Sequence, residues 1–259
     1  MNLNLIGSGL RGAKSITLEE SQVLKRSDAI YIDSYTSIFE SNFKKEMEEI
    51  TGREIIPLKR EEVENFSFLN NSFENVSLIV SGDPFTSTTH NAIVNQCRAR
   101  GIGYRIYENA SITGAVAGRT GLSSYRTGII VSIPRIYDNF VPVSPIRKIL
   151  SNMGYGLHTT LLVDIDNGKN MDSETLLKTL EKMQEKASVN FLKGRPAISL
   201  ERLGWNDEKV TLDFIDDLLM KDLKSPYAIV MPSKPDSNEI ENMSGIFGRD
   251  TVSKIFRTV

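Results

Sequence analysis

Val76-Ser77-Leu78-Ile79-Val80 is an apolar run that leads straight into Ser81-Gly82-Asp83-Pro84-Phe85-Thr86-Ser87-Thr88-Thr89-His90. The run has the length and β-branched content of a buried strand. Gly-Asp-Pro ends it abruptly, because Pro84 fixes its own φ, lacks an N–H and pushes Asp83 away from the α region. A hydroxyl-rich stretch then opens a helix predicted over Thr88–Arg100 and closed by Gly101. A strand that ends in Gly-Asp exposes a carboxylate and bare backbone at its carboxyl end, where open α/β sheets hold their ligands. A carboxylate there suits a polar or cationic small molecule better than a phosphate.

The pattern continues on both sides. Strands are predicted over Asn2–Ile6, Ala29–Ile32, Glu54–Leu58, Ile102–Tyr107 and Gly128–Ile133. Helices fall between them at Thr17–Arg26, Asn42–Ile50 and Ser111–Ala117. Thr17 followed by Glu20 is a capping box. Such alternation implies a parallel sheet covered on both faces. The Pro-rich stretch Pro134–Pro145 reads as irregular and sets a domain boundary, giving an N-terminal domain over 1–134 and a C-terminal one over 140–259. Beyond it lie a long strand, Leu157–Ile165, a charged helix, Ser173–Lys186, and the strands Ala197–Leu203, Lys209–Leu212 and Tyr227–Met231 of a mixed sheet.

The 259 residues carry a net charge of −2, which argues against non-specific nucleic-acid binding. No apolar run reaches the roughly 18 residues of a membrane helix. The first residues, MNLNLIGSGL, lack the basic region of a secretion signal. Cys97 is the only cysteine, so no intrachain disulfide forms, which fits a reducing cytoplasm. Its helical setting predicts a buried apolar thiol. One cysteine and two histidines make a Cys/His metal centre improbable, and no metal is expected.

Gly7-Ser8-Gly9-Leu10-Arg11-Gly12 matches G-x-G-x-x-G by spacing. The following helix starts only near Thr17, too late to aim its N-terminus at a pyrophosphate. The glycines therefore read as a turn at the carboxyl end of the first strand, on the same sheet edge as Gly82-Asp83. Asn109-Ala110-Ser111-Ile112-Thr113-Gly114-Ala115 is a third small, polar loop after a strand. Together the three make a cleft at that edge.

With these loops in place, the chain resembles the diphthine synthases, of the tetrapyrrole-methylase-like class of S-adenosylmethionine methyltransferases. The shared segments are Leu5-Ile6-Gly7-Ser8-Gly9-Leu10, Tyr35-Thr36-Ser37, Gly82-Asp83-Pro84-Phe85 with Thr88-Thr89-His90, Ala110-Ser111-Ile112, Thr120-Gly121-Leu122 with Tyr125, and Leu157-His158-Thr159 through Asp164-Ile165. The resemblance implies an α/β, two-domain tetrapyrrole-methylase-like fold. A parallel Rossmann-like sheet is joined to a mixed-sheet second domain, with S-adenosylmethionine in the cleft. It implies a cytoplasmic homodimer that methylates the amino group of a 3-amino-3-carboxypropyl histidine of translation elongation factor 2, giving diphthine. Cofactor positions carry over to Leu10, Asp83, Thr86, Ser111, Ile112, Val163, Leu203 and Tyr227. The family often has Gly or Val at Thr86, Ala at Leu203, His at Tyr227, Gly at Ser233, and Phe-His at Pro235-Asp236. The alternatives are a precorrin-type tetrapyrrole methylase and a non-catalytic binding protein with a degenerate site.

The resemblance names no general base. Asp83 either meets the methionine amine or sulfonium of the cofactor or caps its own turn. Ser111 and Ile112 offer backbone groups, and Val163 and Leu203 line an adenine pocket. Tyr35, Thr36 and Ser37 form either the acceptor side of the cleft or a capped turn. His90 and His158 read as structural hydrogen-bonding residues rather than bases. Arg119 either pairs with the carboxylate of the acceptor or is a surface arginine.

Overall fold

The computed structural model describes residues 1–137, 140–166 and 168–256. The chain divides into two compact units, Met1–Ile112 with Ile165–Gly168, and Thr113–Asp164 with Lys169–Val259.

In the first unit the strands are β1 (Asn2–Gly7), β2 (Ala29–Asp33), β3 (Ile55–Leu58), β4 (Asn75–Val80) and β5 (Gly103–Tyr107). They form one sheet in the order β3-β2-β4-β1-β5, parallel throughout. Leu3 faces Val76, Leu5 faces Leu78 and Gly7 faces Val80 across the central pair. Side chains alternate across a strand. Leu3, Leu5, Val76, Leu78 and Val80 therefore pack on one face with Ile93 and Cys97. Ile6, Ile30, Ile32 and Ile79 pack on the other with Leu24, Phe43 and Met47. Two covered faces explain why these strands read as continuous apolar runs rather than alternating ones. Cys97 is fully buried, as its helical setting predicted.

Helices α1 (Leu18–Arg26), α2 (Phe43–Thr51), α3 (Arg60–Glu64) and α4 (Asn91–Arg100) connect these strands. The Thr17–Glu20 capping box is present, with Thr17 N donating to Glu20 Oε2 at 2.6 Å and Glu20 N to Thr17 Oγ1 at 3.2 Å. Gly101 ends α4 in the left-handed region, the position only glycine takes without a Cβ clash. The expected start of α4 at Thr88 is three residues early, because 84–90 is a turn in which Ser87 has φ +56°.

The second unit follows α5 (Ile112–Thr120) with β6 (Val131–Ile133), α6 (Ser144–Gly154) and β7 (Thr159–Val163). The two-residue strands β8 (Ile165–Asp166) and β9 (Lys169–Asn170) come next, then α7 (Ser173–Lys186), β10 (Pro196–Glu201), β11 (Lys209–Phe214) and α8 (Ile215–Leu219). β12 (Tyr227–Met231), α9 (Ser237–Phe247) and α10 (Arg249–Phe256) complete it. Its sheet runs β11-β10-β12-β7-β6 and is mixed: β6 and β7 are parallel, the remaining pairs antiparallel. Because β6 pairs with β7, the division falls at Ile112/Thr113, upstream of the boundary expected after residue 134. The core packs Ile146 and Ile149 of α6, Leu176 and Leu180 of α7 and Leu218 of α8 with Leu161 and Ile229.

Helix α6 begins inside the stretch expected to be irregular. Pro145 sits in its first turn, where a missing N–H leaves no bond unmade, so that proline marks a helix start rather than coil. Helices α3, α8, α9 and α10 also lie outside the sequence expectations. For α9 the signal was present, since Asp236 caps the helix and Glu239 completes the box.

Candidate active site

The glycine loops after β1 and β4 join each other. Gly9 N donates to Gly82 O at 3.0 Å and Gly82 N donates to Gly9 O at 3.1 Å, a two-bond bridge just beyond the sheet. Gly9 and Gly82 hold φ of +63° and +71°, so both need glycine. A Cβ on Gly7 would lie 2.5 Å from Gly82 O. The first glycines of the motif thus serve close approach of two chain segments, consistent with the helix opening only at Leu18. β1 continues to β2 on one side of the sheet and β4 to β5 on the other. The bridge therefore sits at the topological switch point, where such sheets form their binding crevice.

The third loop is tied to the same place. Asn109 Nδ2 donates to Gly7 O at 3.0 Å and to Ser15 O at 3.1 Å. Its Oδ1 accepts from Ala110 N at 2.8 Å. A Cβ on Gly82 would meet Ala110 O and the Ser111 Cα at 3.9 Å. Leu10, Asp83, Thr86, Ser111 and Ile112 therefore belong to three loops that converge on one edge of the first sheet. Asn109 was read from the sequence only as the start of a small, polar loop; its role in tying that loop to the group was not. An Asn directly ahead of Ala-Ser at a strand end was the available signal.

Asp83 is half-buried and shapes its own turn: Oδ1 accepts from Phe85 N at 2.9 Å and from Thr86 Oγ1 at 3.2 Å. No described residue donates to Oδ2. Asp33, at the end of β2, is the opposite case. It is fully buried, and Oδ1 accepts from Tyr35 N at 2.9 Å and Thr36 N at 3.0 Å. Its Oδ2 accepts from Thr36 Oγ1 and pairs with His90 Nε2 at 3.1 Å. Burial pushes the Asp33 carboxyl up, but hydrogen bonds from His90, Thr36 and Tyr35 outweigh it and hold the group below its usual range. Ser37 Oγ accepts from Ser81 N at 2.9 Å. Tyr35-Thr36-Ser37 is thus the capped turn of the two readings, and its anchor, Asp33, was missed. An Asp followed by hydroxyl residues within three positions is an Asx-turn signature. His90 is the structural hydrogen-bonding residue expected of it, with Nδ1 against Pro84 O at 2.8 Å.

In the second unit, Val163, Leu203 and Tyr227 lie at one edge of the mixed sheet. Val163 ends β7, Leu203 follows β10, and Tyr227 opens the antiparallel β12 between them. Asn170 fastens two of them, its Nδ2 donating to Val163 O at 2.9 Å and its Oδ1 accepting from Tyr227 N at 2.9 Å. The Tyr227 hydroxyl donates to Met171 O at 2.5 Å, and burial pushes its pKa up. Tyr227 is therefore an internally bonded phenol. Arg119 forms an ion pair with Glu208 at 3.2 Å, so its charge is already matched.

His158 Nε2 donates to Glu239 Oε1 at 2.8 Å, while its Nδ1 accepts from Ser233 N at 3.0 Å. A ring with one N–H and one acceptor is neutral. His158 is therefore a satisfied core histidine, as read from the sequence. A cleft of about 530 Å³ in this unit is lined by Gly118, Gly121, Ser123, Tyr125, Asp236 and Asn242, among others. None of the expected cofactor residues lines it. Among the described residues no group of three or more His, Cys, Asp or Glu side chains is placed to hold a metal ion. No helix among them is long and apolar enough to cross a membrane.

A doubly wound parallel sheet with bridged glycine loops at the switch point, in a chain that also carries a mixed sheet, defines a class. Residues 2–219 match the family described as Tetrapyrrole (Corrin/Porphyrin) Methylases, and the chain belongs to that family. It is similar to the diphthine synthase of Thermoplasma acidophilum, with 40% identity over 98% of this chain and 98% of the relative. It is also similar to the mouse diphthine methyl ester synthase, with 36% identity over 74% of this chain and 63% of the relative. A crystal structure of a diphthine synthase superposes with a TM-score of 0.85 at 28% identity, covering 100% of both chains. Within its family the chain therefore groups with the diphthine synthases. It is a methyltransferase, and its reaction is the methylation step of diphthamide biosynthesis. Similarity to diphthine synthases over nearly the full length favours that activity over the macrocycle-methylating and non-catalytic alternatives.

Proposed function

We propose that the three converging loops of the first unit hold S-adenosylmethionine, with Asp83 as the charged anchor. The observation that carries this reading is the division of labour within one carboxylate. Oδ1 shapes the turn, and Oδ2 is left for a ligand on a backbone already locked to its neighbours. A single negative charge among Gly82, Ala110 and Ser111 fits a slender molecule that carries an ammonium and a sulfonium. Thr86 bonds the carboxylate through its hydroxyl, Leu10 follows the bridged Gly9, and Ser111 and Ile112 are proposed as the third loop's contact positions. In the second unit, Val163, Leu203 and the ring of Tyr227 are proposed as apolar lining positions.

The cofactor supplies a methyl group already activated by the positive charge on sulfur. The chain must hold the acceptor nitrogen, that carbon and the sulfur in line, and alignment of this kind contributes several kcal/mol. Rigid loops suit the task, because a displaced anchor misaligns the attack. The acceptor amine must be neutral when it attacks, and a dry site lowers the pKa of an ammonium.

The acceptor we propose is the amine of the 3-amino-3-carboxypropyl histidine of translation elongation factor 2, methylated to diphthine by a cytoplasmic homodimer. Near-full-length similarity to proteins named diphthine synthase supports it. Two measurements test the proposal. By titration calorimetry, Asp83→Ala should weaken binding of S-adenosylmethionine by about 1–3 kcal/mol, the worth of hydrogen bonds to a charged group; unchanged affinity removes Asp83 from the site. Labelled cofactor incubated with elongation factor 2 bearing the unmethylated intermediate should place label on that residue. A folded, cofactor-binding enzyme that leaves it unlabelled overturns the acceptor.

A further inference from the structure

His90 stands between the Asp83 loop of the candidate site and the Asp33 turn after β2, and both its ring nitrogens are engaged. Nδ1 faces Pro84 O at 2.8 Å. A carbonyl oxygen only accepts, so Nδ1 carries hydrogen. Nε2 faces Asp33 Oδ2 at 3.1 Å. Asp33 already gathers donors from Tyr35 N, Thr36 N and the Thr36 hydroxyl, so it is a carboxylate and Nε2 donates as well. The ring is therefore a two-headed donor, 2% exposed, beside a carboxylate that is 0% exposed.

Two further features converge here. Thr88 Oγ1 donates to the same Pro84 O at 2.7 Å, so two donors hold the carbonyl of the residue that follows Asp83. Between Asp83 and His90, Ser87 takes φ +56° without being glycine. Such a conformation persists only where the surroundings over-determine it. The turn from Asp83 to His90 is thus closed on itself and clamped to β2, at the point where Ser37 also receives Ser81 N at 2.9 Å.

We propose that His90 is a positioning residue for the cofactor loop: held at Nε2 by Asp33, it pins Pro84 through Nδ1 and so fixes where the Asp83 carboxylate points. The inference rests on the cofactor reading given above. His90 touches neither cofactor nor acceptor in this role; it acts through Asp83.

Two substitutions separate the two heads of the ring. An Asn amide reaches the place of Nδ1, and a Gln amide reaches the place of Nε2. His90→Asn keeps the bond to Pro84 and should bind S-adenosylmethionine within about threefold of the parent. His90→Gln keeps the bond to Asp33 but gives up the one to Pro84 O, leaving Thr88 alone on that carbonyl, and should bind about tenfold more weakly, the scale of one lost hydrogen bond. Both are measured by calorimetry alongside melting temperature. A purely structural role would reduce the bound fraction in step with stability and leave the dissociation constant alone. In an Asp83→Ala background, His90→Gln should weaken binding no further, since the two act as one unit. Wild-type affinity in His90→Gln, or the same weakening with and without Asp83, overturns the proposal. If Asp83→Ala itself leaves affinity unchanged, the cofactor reading falls and this inference with it. If Asp83→Ala weakens binding and His90→Gln does not, only this inference falls.

Discussion

Asp33 and Asp83 both stand at carboxyl ends of neighbouring strands, each followed by hydroxyl residues, yet the structure gives them opposite roles. Asp33 is buried and receives four donors, which makes it a structural anchor. Asp83 is half-buried and receives two donors on one oxygen, which leaves the other without a donor among the described residues. Tyr227 shows the same logic in the second unit. Its hydroxyl serves Met171 O, so what it can offer a ligand is its ring. Tyr227→Phe should therefore lower stability by about 1–3 kcal/mol, the penalty for a buried acceptor left unpaired. Thermal or urea unfolding measures it. An unchanged midpoint would show that the Met171 carbonyl has another partner.

At the level of elements, the site is made by strand ends brought side by side. The bridge between Gly9 and Gly82 depends on glycine at position 7, where a Cβ would meet Gly82 O at 2.5 Å and Pro84 Cδ at 3.0 Å. The obstacle is backbone, which cannot swing aside as a long side chain can. Gly7→Ala should cost about 1–3 kcal/mol through overpacking, and it should also weaken cofactor binding because the GDPF loop must shift. A variant as stable as the parent, binding with equal affinity, would show that the two loops have room to part. The parallel strands were legible in advance, because a sheet covered on both faces writes itself as repeated apolar runs. The helices after residue 210 were less so. Helix α8 is five residues long, and α9 had to be read from its Asp236–Glu239 cap rather than from a strong apolar period. That cap also gives Asp236 its place: it starts a helix.

For the molecule as a whole, the cluster around Glu239 links stability to pH. Glu239 is buried and accepts from Ser123 N at 2.8 Å, Asp236 N at 3.0 Å, Arg126 Nη1 at 2.5 Å and His158 Nε2 at 2.8 Å. It thereby joins the turn at 123–126, the lead into β7 and the start of α9. Burial holds the His158 pKa below its usual value, against the raising effect of Glu239. An unfolded chain takes up that proton near pH 6.5, before the native state does. Below that pH the unfolded state binds more protons, so this contribution is present above about 6.5 and is lost as pH falls. Glu239 is likewise held below its usual value, where hydrogen bonds from Ser123, Asp236 and His158 overcome the upward push of burial; its share is lost lower, as pH falls through the carboxylate range. The urea midpoint should therefore drop between pH 7.5 and pH 5.5. His158→Gln, which cannot titrate, should show a smaller drop. An equal drop in both proteins would mean that other groups carry the effect.

The order of apolar runs, glycines and caps along the chain was enough to specify a parallel sheet, a mixed one after it and three small loops at strand ends. These are local properties: a run of side chains must alternate across a strand, and a left-handed turn must have glycine, whatever lies elsewhere. Which carboxylate is saturated by its neighbours, and which histidine bonds two distant segments, was decided only by folding. His90 meets an aspartate 57 positions away and Asn109 reaches a carbonyl 102 positions away. Saturation of a polar group depends on every donor within 3 Å or so, and those neighbours are chosen by topology rather than by adjacency in the chain.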